Sequence, residues 1–357
     1  MIISRTPFRI SFFGGGTDYP VWIQEHGGAV IGTTINHFCY TSCRYLPPFF
    51  DYNYRICYSK IEDVKFIEQI QHPAVNGVLS YLKFQDQGLE IHHAADLPAR
   101  AGLGSSSAFV VGLCNALLTL REQSISKGEL SQLAIHIEQK ILNETVGCQD
   151  QTLTAHGGLN CVYFSPNGNI SVHPVNAPEN RIQALQSHLL LFFTGFSRYA
   201  NEIAKSKVAN FQMRKNELHR MHKMVKRALD ILQDEKEDLL SFGELLHESW
   251  QLKKSLSDKI SSPQLNEIYE KAMQAGAIGG KLLGAGGGGF MLFFVPPFQQ
   301  EAVKQTLSHL LHVPFQFENS GSSIIVNQPT GFIPQEVAND GFGLGQIPAI
   351  LGPTACV

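Results

Sequence analysis

Charge is scarce in this chain, and several familiar signatures are missing from it. Only 17% of its 357 residues are charged and the formal net charge is −3, which excludes a nucleic-acid binder that works by bulk charge. No apolar run reaches the length of a membrane span. The seven cysteines (Cys39, Cys43, Cys57, Cys114, Cys148, Cys161 and Cys356) form no CxxC pair. Cys39 and Cys43 have no His or Cys cluster beside them, which speaks against zinc. Scattered thiols suit a reducing compartment, and the opening Met-Ile-Ile-Ser-Arg-Thr-Pro is no basic-then-apolar leader. The expectation is a cytoplasmic protein. No short repeat or low-complexity block interrupts the chain. A hydrophobic content of 43% describes an ordinary globular protein of two domains or one large one.

What the chain does have is glycine in the right places. Pro98-Ala-Arg-Ala-Gly-Leu-Gly-Ser-Ser-Ser leads into Ala108–Leu120, whose apolar residues follow a helical repeat. A glycine-rich loop feeding a helix N-terminus gathers backbone N–H groups and the positive end of the helix dipole, so it suits an anion. A helix N-capped by serine after an ordinary turn would read the same way. A second cluster, Gly284, Gly286 and Gly289, satisfies G-x-G-x-x-G, but a strand follows it, Phe290–Val295, where a dinucleotide fold requires a helix. The P-loop pattern fails as well, because Gly280-Lys281 is preceded five residues earlier by Ala275 and followed by Leu282. His-Arg-Asp and Asp-Phe-Gly, the marks of protein kinases, are absent.

Taken in order, the chain predicts a strand over Ile2–Phe13 with Arg9 inside it, a half-buried arginine that needs a partner. Gly14-Gly-Gly-Thr-Asp-Tyr is then a tight bend presenting Asp18. Strands over Ala29–Tyr45 and Tyr54–Tyr58, a helix over Pro73–Phe84 and a strand over Gly88–His93 lead to the serine loop. Ser126 and Glu129 are spaced as the capping box of a helix running to Leu142. Glu138 sits at the edge of that helix's apolar face, either near the core or solvated. The helix gives way to Val146-Gly-Cys-Gln-Asp-Gln-Thr, which places Asp150 twelve residues beyond Glu138. A hairpin over Leu159–Pro174 and a polar boundary at Asn176–Ser187 follow. Beyond the strand Leu189–Thr194, helices are expected over about 200–233, 237–256 and 263–275, then the strand at 290–295, a helix over Phe298–Leu311 and strands near 313–318 and 322–326. The Gly- and Pro-rich tail has no period.

Three motifs together resemble the GHMP kinases, named for galactokinase, homoserine kinase, mevalonate kinase and phosphomevalonate kinase. They are Thr6-Pro-Phe-Arg-Ile-Ser-Phe-Phe-Gly-Gly-Gly-Thr-Asp-Tyr, Pro98 to Ser107, and Lys281 to Gly289. The resemblance covers about residues 1–330. It implies an α+β, two-domain GHMP kinase fold, with a ribosomal-protein-S5-like α/β domain over 1–180, a ferredoxin-like α+β domain over 181–330 and a tail over 331–357. It implies ATP bound by Pro98, Arg100, Ala101, Gly102, Leu103, Gly104, Ser105, Ser106 and Ser107, with Mg²⁺ held by Ser106 and Glu138. Asp150 matches the catalytic carboxylate, and Arg9 the basic residue paired with it. The acceptor would meet Gly15, Gly16, Thr17, Asp18, Lys281, Gly286 and Gly287. Galactokinases have Glu-His where Gly15-Gly16 stand, which puts galactose in doubt.

Within the superfamily, the first motif, Tyr45-Leu-Pro-Pro-Phe-Phe-Asp and Gln149-Asp-Gln look most like the D-glycero-D-manno-heptose 7-phosphate kinases. Those enzymes phosphorylate C1 of a sugar phosphate on the route to nucleotide-activated heptose. An acceptor that already carries a phosphate needs fixed positive charge, and Arg198 at a strand-to-helix junction is the candidate, with Lys281 near it. A salt bridge from Arg198 to Glu202 is the plain alternative. The implied partners are a small sugar phosphate and ATP, with no nucleic acid and no membrane, and a homodimer is left open. Two other readings stay open: another anomeric kinase, for fucose, glucuronate or an N-acetylhexosamine, and a non-catalytic sugar-phosphate sensor.

Overall fold

In the computed structural model, residues 1–85, 88–99, 101–195 and 200–328 are described. The chain opens with β1 (Ile2–Phe13), buried along nearly all its length. A short helix α1 (Pro20–His26) turns it into β2 (Gly28–Tyr45), which pairs antiparallel with β1 throughout. β3 (Tyr54–Cys57) and β4 (Ile61–Val64) form a hairpin, and α2 (Pro73–Tyr81) leads to β5 (Leu89–Ala95). β5 pairs antiparallel with the C-terminal half of β2 and parallel with β3.

The helices α3 (Ser105–Leu120), α4 (Lys127–His136) and α5 (Gln149–His156) pack together, with α3 and α5 against β1 and β2. α3 is buried almost all round, as a helix apolar on every side must be. α4 starts on the expected capping box: Ser126 Oγ accepts from the Glu129 N–H, and Glu129 Oε2 accepts from the Ser126 N–H at 2.9 Å. It does not continue to Leu142 as an α-helix. Ile137–Ile141 is a single π-helical turn, and Glu138 lies within it. The hairpin β6 (Asn160–Phe164) and β7 (Ile170–Pro174) pairs with the start of β2.

A helix α6 (Glu179–Ser187) occupies the polar stretch expected as a boundary. The second sheet, of four strands, is antiparallel: β8 (Leu189–Phe193) and β9 (Gly279–Leu282) flank β10 (Phe290–Phe294), and β11 (Leu311–His312) lies at the β8 edge. Its helices are α7 (Ala200–Ala209), α8 (Lys215–Gln233), α9 (Leu240–Ser255) and α10 (Pro263–Gln274). The single helix expected over 200–233 is therefore two, and the helix expected over Phe298–Leu311 shortens to α11 (Gln300–Thr306) after a 3₁₀ turn. α8 buries Leu218, Met221, Val225, Ala228 and Leu232 at helical spacing and lies against β1 and β2. The last strands, β12 (Phe317–Glu318) and β13 (Ser323–Asn327), return to the first sheet and pair with β2 and β1. The architecture is α+β with two sheets, as expected, and the chain crosses between the sheets twice.

Candidate active site

Arg9 projects from β1 and is 3% exposed. Its Nε donates to Asp150 Oδ1 at 2.8 Å, its Nη2 to Asp150 Oδ2 at 2.5 Å, and its Nη1 to the Gly102 carbonyl at 2.7 Å. One guanidinium thus joins the first motif, the serine loop and the carboxylate expected to do chemistry, in the bidentate geometry that fixes a carboxylate best. Asp150 belongs to a helix that the sequence did not announce. It stands in the first turn of α5, where the helix dipole favours a negative charge.

The serine loop is anchored by buried Ala101 and Leu103, while Pro98 and Ser106 are exposed. Gly104 caps α3 in the left-handed conformation and, having no side chain, supplies no cap to the first turn. A Cβ on Gly102 would come 2.5 Å from the Leu283 carbonyl oxygen, and one on Gly284 would come 2.5 Å from Gly102 Cα. The two glycine loops lie back to back at a distance that only glycine allows. The third motif therefore buttresses the second: Phe290 N–H donates to the Ala101 carbonyl, and Gly287 N–H to that of Ile260. Gly286 likewise packs against the Ile260 backbone. Both glycines thus lie against Ile260.

Glu138 is fully buried, and neither oxygen meets Ser106. Ser107 Oγ donates to its Oε2 at 2.8 Å, and Gln151 Nε2 donates to the same oxygen. Burial, with Glu144 nearby, pushes its pKa up to about 8. Asp18 is also buried: Gly16 N–H donates to its Oδ1 at 2.8 Å, and a Cβ on Gly147 would fall 1.8 Å from its Oδ2. Burial raises its pKa, against the pull of Lys207. Thr17 is occupied, since its hydroxyl donates to the carbonyls of Gly14 and Ala29. Beside Gly15 lie the Ser11 hydroxyl and the Gln149 amide, and among the described residues the buried Ser11 Oγ and Gln149 Oε1 have no hydrogen-bond partner. Lys281 is buried, with Nζ on the Phe12 carbonyl at 2.7 Å. Arg100 and Arg198 lie outside the described residues.

Residues 71–158 match the GHMP kinases N terminal domain and residues 208–312 the GHMP kinases C terminal family. A D-glycero-alpha-D-manno-heptose 7-phosphate kinase of Campylobacter jejuni is 30% identical over 307 residues, 83% of this chain and 90% of that protein. The chain belongs to the GHMP kinases. A crystal structure described as a D-glycero-D-manno-heptose 1-phosphate kinase from Bacteroides thetaiotaomicron superposes with a TM-score of 0.74 at 25% identity, covering 91% of this chain and 98% of that one. A bifunctional fucokinase/GDP-fucose pyrophosphorylase of Arabidopsis thaliana is 26% identical over 313 residues, 80% of this chain and 29% of that protein.

As a GHMP kinase the protein is a phosphotransferase with ATP as donor, and the uncapped first turn of α3 behind a Gly102–Gly104 loop fits a polyphosphate. The donor set for a metal fits a hard cation: Glu138, the Ser107 hydroxyl beside it and the exposed Ser106. No group of three His, Cys, Asp or Glu side chains gathers among the described residues, so most remaining ligands would be phosphates and waters, as is usual for Mg²⁺. The kinase also carries buried cations that sequence reading missed. Lys253, in α9, gives its Nζ to the carbonyls of Leu282 and Gly284, and Lys207 comes from α7. Arg9 is bonded to Asp150, and the three lysines bear electrostatically on Asp18 or Asp150. Burial first, then mutual repulsion, drives the Lys253 pKa well down and the Lys281 pKa to about 7. A lysine in a helical stretch reads as solvated, so no local signal marked Lys207 or Lys253.

Proposed function

We propose that this kinase transfers the γ-phosphoryl group of ATP to the anomeric C1 hydroxyl of D-glycero-D-manno-heptose 7-phosphate, giving the 1,7-bisphosphate used to make nucleotide-activated heptose. The observation that carries the reading is the Arg9–Asp150 fork bonded to the Gly102 carbonyl, which sets a proton acceptor beside a phosphate-binding helix end. Asp150 takes the proton of the attacking hydroxyl, and Arg9 holds that carboxylate at one position. Asp18, Ser11 and Gln149 meet the acceptor's hydroxyls. Bound at Glu138, Ser107 and Ser106, Mg²⁺ would neutralise phosphate charge. The acceptor follows the Campylobacter jejuni relative, which this chain matches over 90% of its length.

The match to the plant fucokinase supports a second reading, an anomeric kinase for an unphosphorylated sugar. A sensor without activity is disfavoured, since Asp150 and Glu138 are both in place. A coupled ADP-release assay over a panel of free and phosphorylated sugars separates the three. Turnover of heptose 7-phosphate well above free heptose and fucose is expected. Equal use of free heptose would remove the phosphate-bearing acceptor, and no turnover of any sugar would leave the sensor.

A further inference from the structure

Three of the four buried cations at the site have their N–H groups engaged by the protein. Arg9 is bonded to Asp150 and the Gly102 carbonyl, Lys253 to two carbonyls, and Lys281 to the Phe12 carbonyl. Lys207 is different. It is 5% exposed, yet among the described residues its ammonium makes no hydrogen bond and no ion pair. Its close contact is the face of the Tyr19 ring, with Nζ 4.2 Å from the centroid, so no protein acceptor among the described residues takes up its N–H donors. Burial lowers its pKa, while Asp18 and Asp150 act against that shift from a distance.

The helix holds Lys207 in this position from both sides. One residue earlier, the Ser206 hydroxyl is bonded to that of Ser257 at 2.9 Å, and three residues later Asn210 Nδ2 donates to the Leu256 carbonyl at 2.8 Å. α7 is therefore pinned to the end of α9, and the ammonium is held over the ring of Tyr19, next in sequence to Asp18, whose carbonyl accepts from the Cys148 N–H two residues before Asp150.

We infer that Lys207 is a further catalytic residue of this kinase, an electrophile that donates to a non-bridging oxygen of the transferring phosphoryl group. The inference rests on the phosphotransfer reading above. In the step, the acceptor oxygen forms its bond to the γ-phosphorus and the bond from that phosphorus to the β–γ bridging oxygen breaks. ADP leaves with the electron pair, and the hydroxyl proton passes to Asp150. Charge spreads over the equatorial oxygens of the group in transit, and a preorganised donor in a desolvated site acts most strongly there. The acceptor's own 7-phosphate is the other conceivable anion, but it lies at the far end of the sugar from C1, whereas Lys207 sits on Tyr19 beside Asp18, the segment that bonds the start of the Asp150 helix.

Lys207→Met and Lys207→Arg in the full chain test this. For Lys207→Met, kcat is expected to fall about 10²-fold or more, with KM for ATP and for the sugar within about threefold. Lys207→Arg should recover about tenfold or more of that loss. The melting temperature of Lys207→Met should hold or rise, because the cost of desolvating a charge is gone. Calorimetry with ADP, magnesium and aluminium fluoride needs no acceptor: Lys207→Met should weaken the fluoride-dependent binding and leave binding of ADP alone unchanged. Three results would each overturn the inference: wild-type kcat, a loss confined to the sugar's KM, or a lowered melting temperature with no rescue by arginine. If wild type uses another sugar, the acceptor assignment fails while the same comparison on that sugar still decides the role of Lys207. If it uses none, the calorimetry decides it.

Discussion

Both oxygens of Asp150 are held by one guanidinium, yet the carboxylate keeps a side open to the site, and that combination is what a base for a hydroxyl needs. Asp150→Asn keeps the size and removes the proton acceptor. It should lower kcat about 10²-fold or more while ATP binding barely moves, and steady-state kinetics beside a nucleotide titration check this. Near-normal turnover would take Asp150 out of the chemistry. Glu138 makes a different claim. Its carboxyl titrates near the ordinary value of 4.5 in the unfolded chain and at about 8 in the folded one. Between those values the folded state binds the extra proton, so its contribution to stability is full below the unfolded value and is lost as pH rises through about 8. Melting curves of the metal-free protein should show stability falling over that window, and Glu138→Gln should flatten that part of the fall. The same variant should need more Mg²⁺ for half-maximal rate, because an amide replaces a carboxylate. Parallel melting profiles with superimposable magnesium titrations would reduce Glu138 to a packing residue.

Elements with a local signal could be read from the sequence. The capping box of α4 and the apolar run of β1 were legible because each is decided within a few residues. The π turn at Ile137–Ile141 was not, since the helical pattern of the segment runs on past His136 while its backbone widens by one residue per turn at the position that aims Glu138 inward. α5 was missed for a related reason: it buries Gln151, Thr152 and Thr154, polar residues that give no amphipathic stripe. The second and third glycine motifs lie against each other, a contact that their separation in sequence does not announce. Gly102→Ala tests that packing. Its φ of +85° and the 2.5 Å approach to the Leu283 carbonyl leave no room for a methyl group. A loss of about 1–3 kcal/mol in stability is expected, together with a raised KM for ATP. An unchanged melting temperature would show that the two loops can separate freely.

At the scale of the molecule, the site exists because the chain crosses between its two sheets. β1 brings Arg9, α3 and α5 bring the anion loop and Asp150, and the second sheet with its helices brings Lys207, Lys253 and Lys281. None of those long-range meetings could be read from spacing, whereas the order of the motifs could. A formal net charge of −3 over the whole chain conceals a cluster of buried positive groups where phosphate is to be handled. The most direct test is the product formed from ATP and D-glycero-D-manno-heptose 7-phosphate, followed by phosphorus NMR with coupling to the sugar protons. The expected result is a second phosphorus signal coupled to the anomeric proton, appearing in step with ADP and absent with Asp150→Asn. ADP accompanied only by inorganic phosphate, or a new phosphate coupled to a proton on another carbon, would contradict the account.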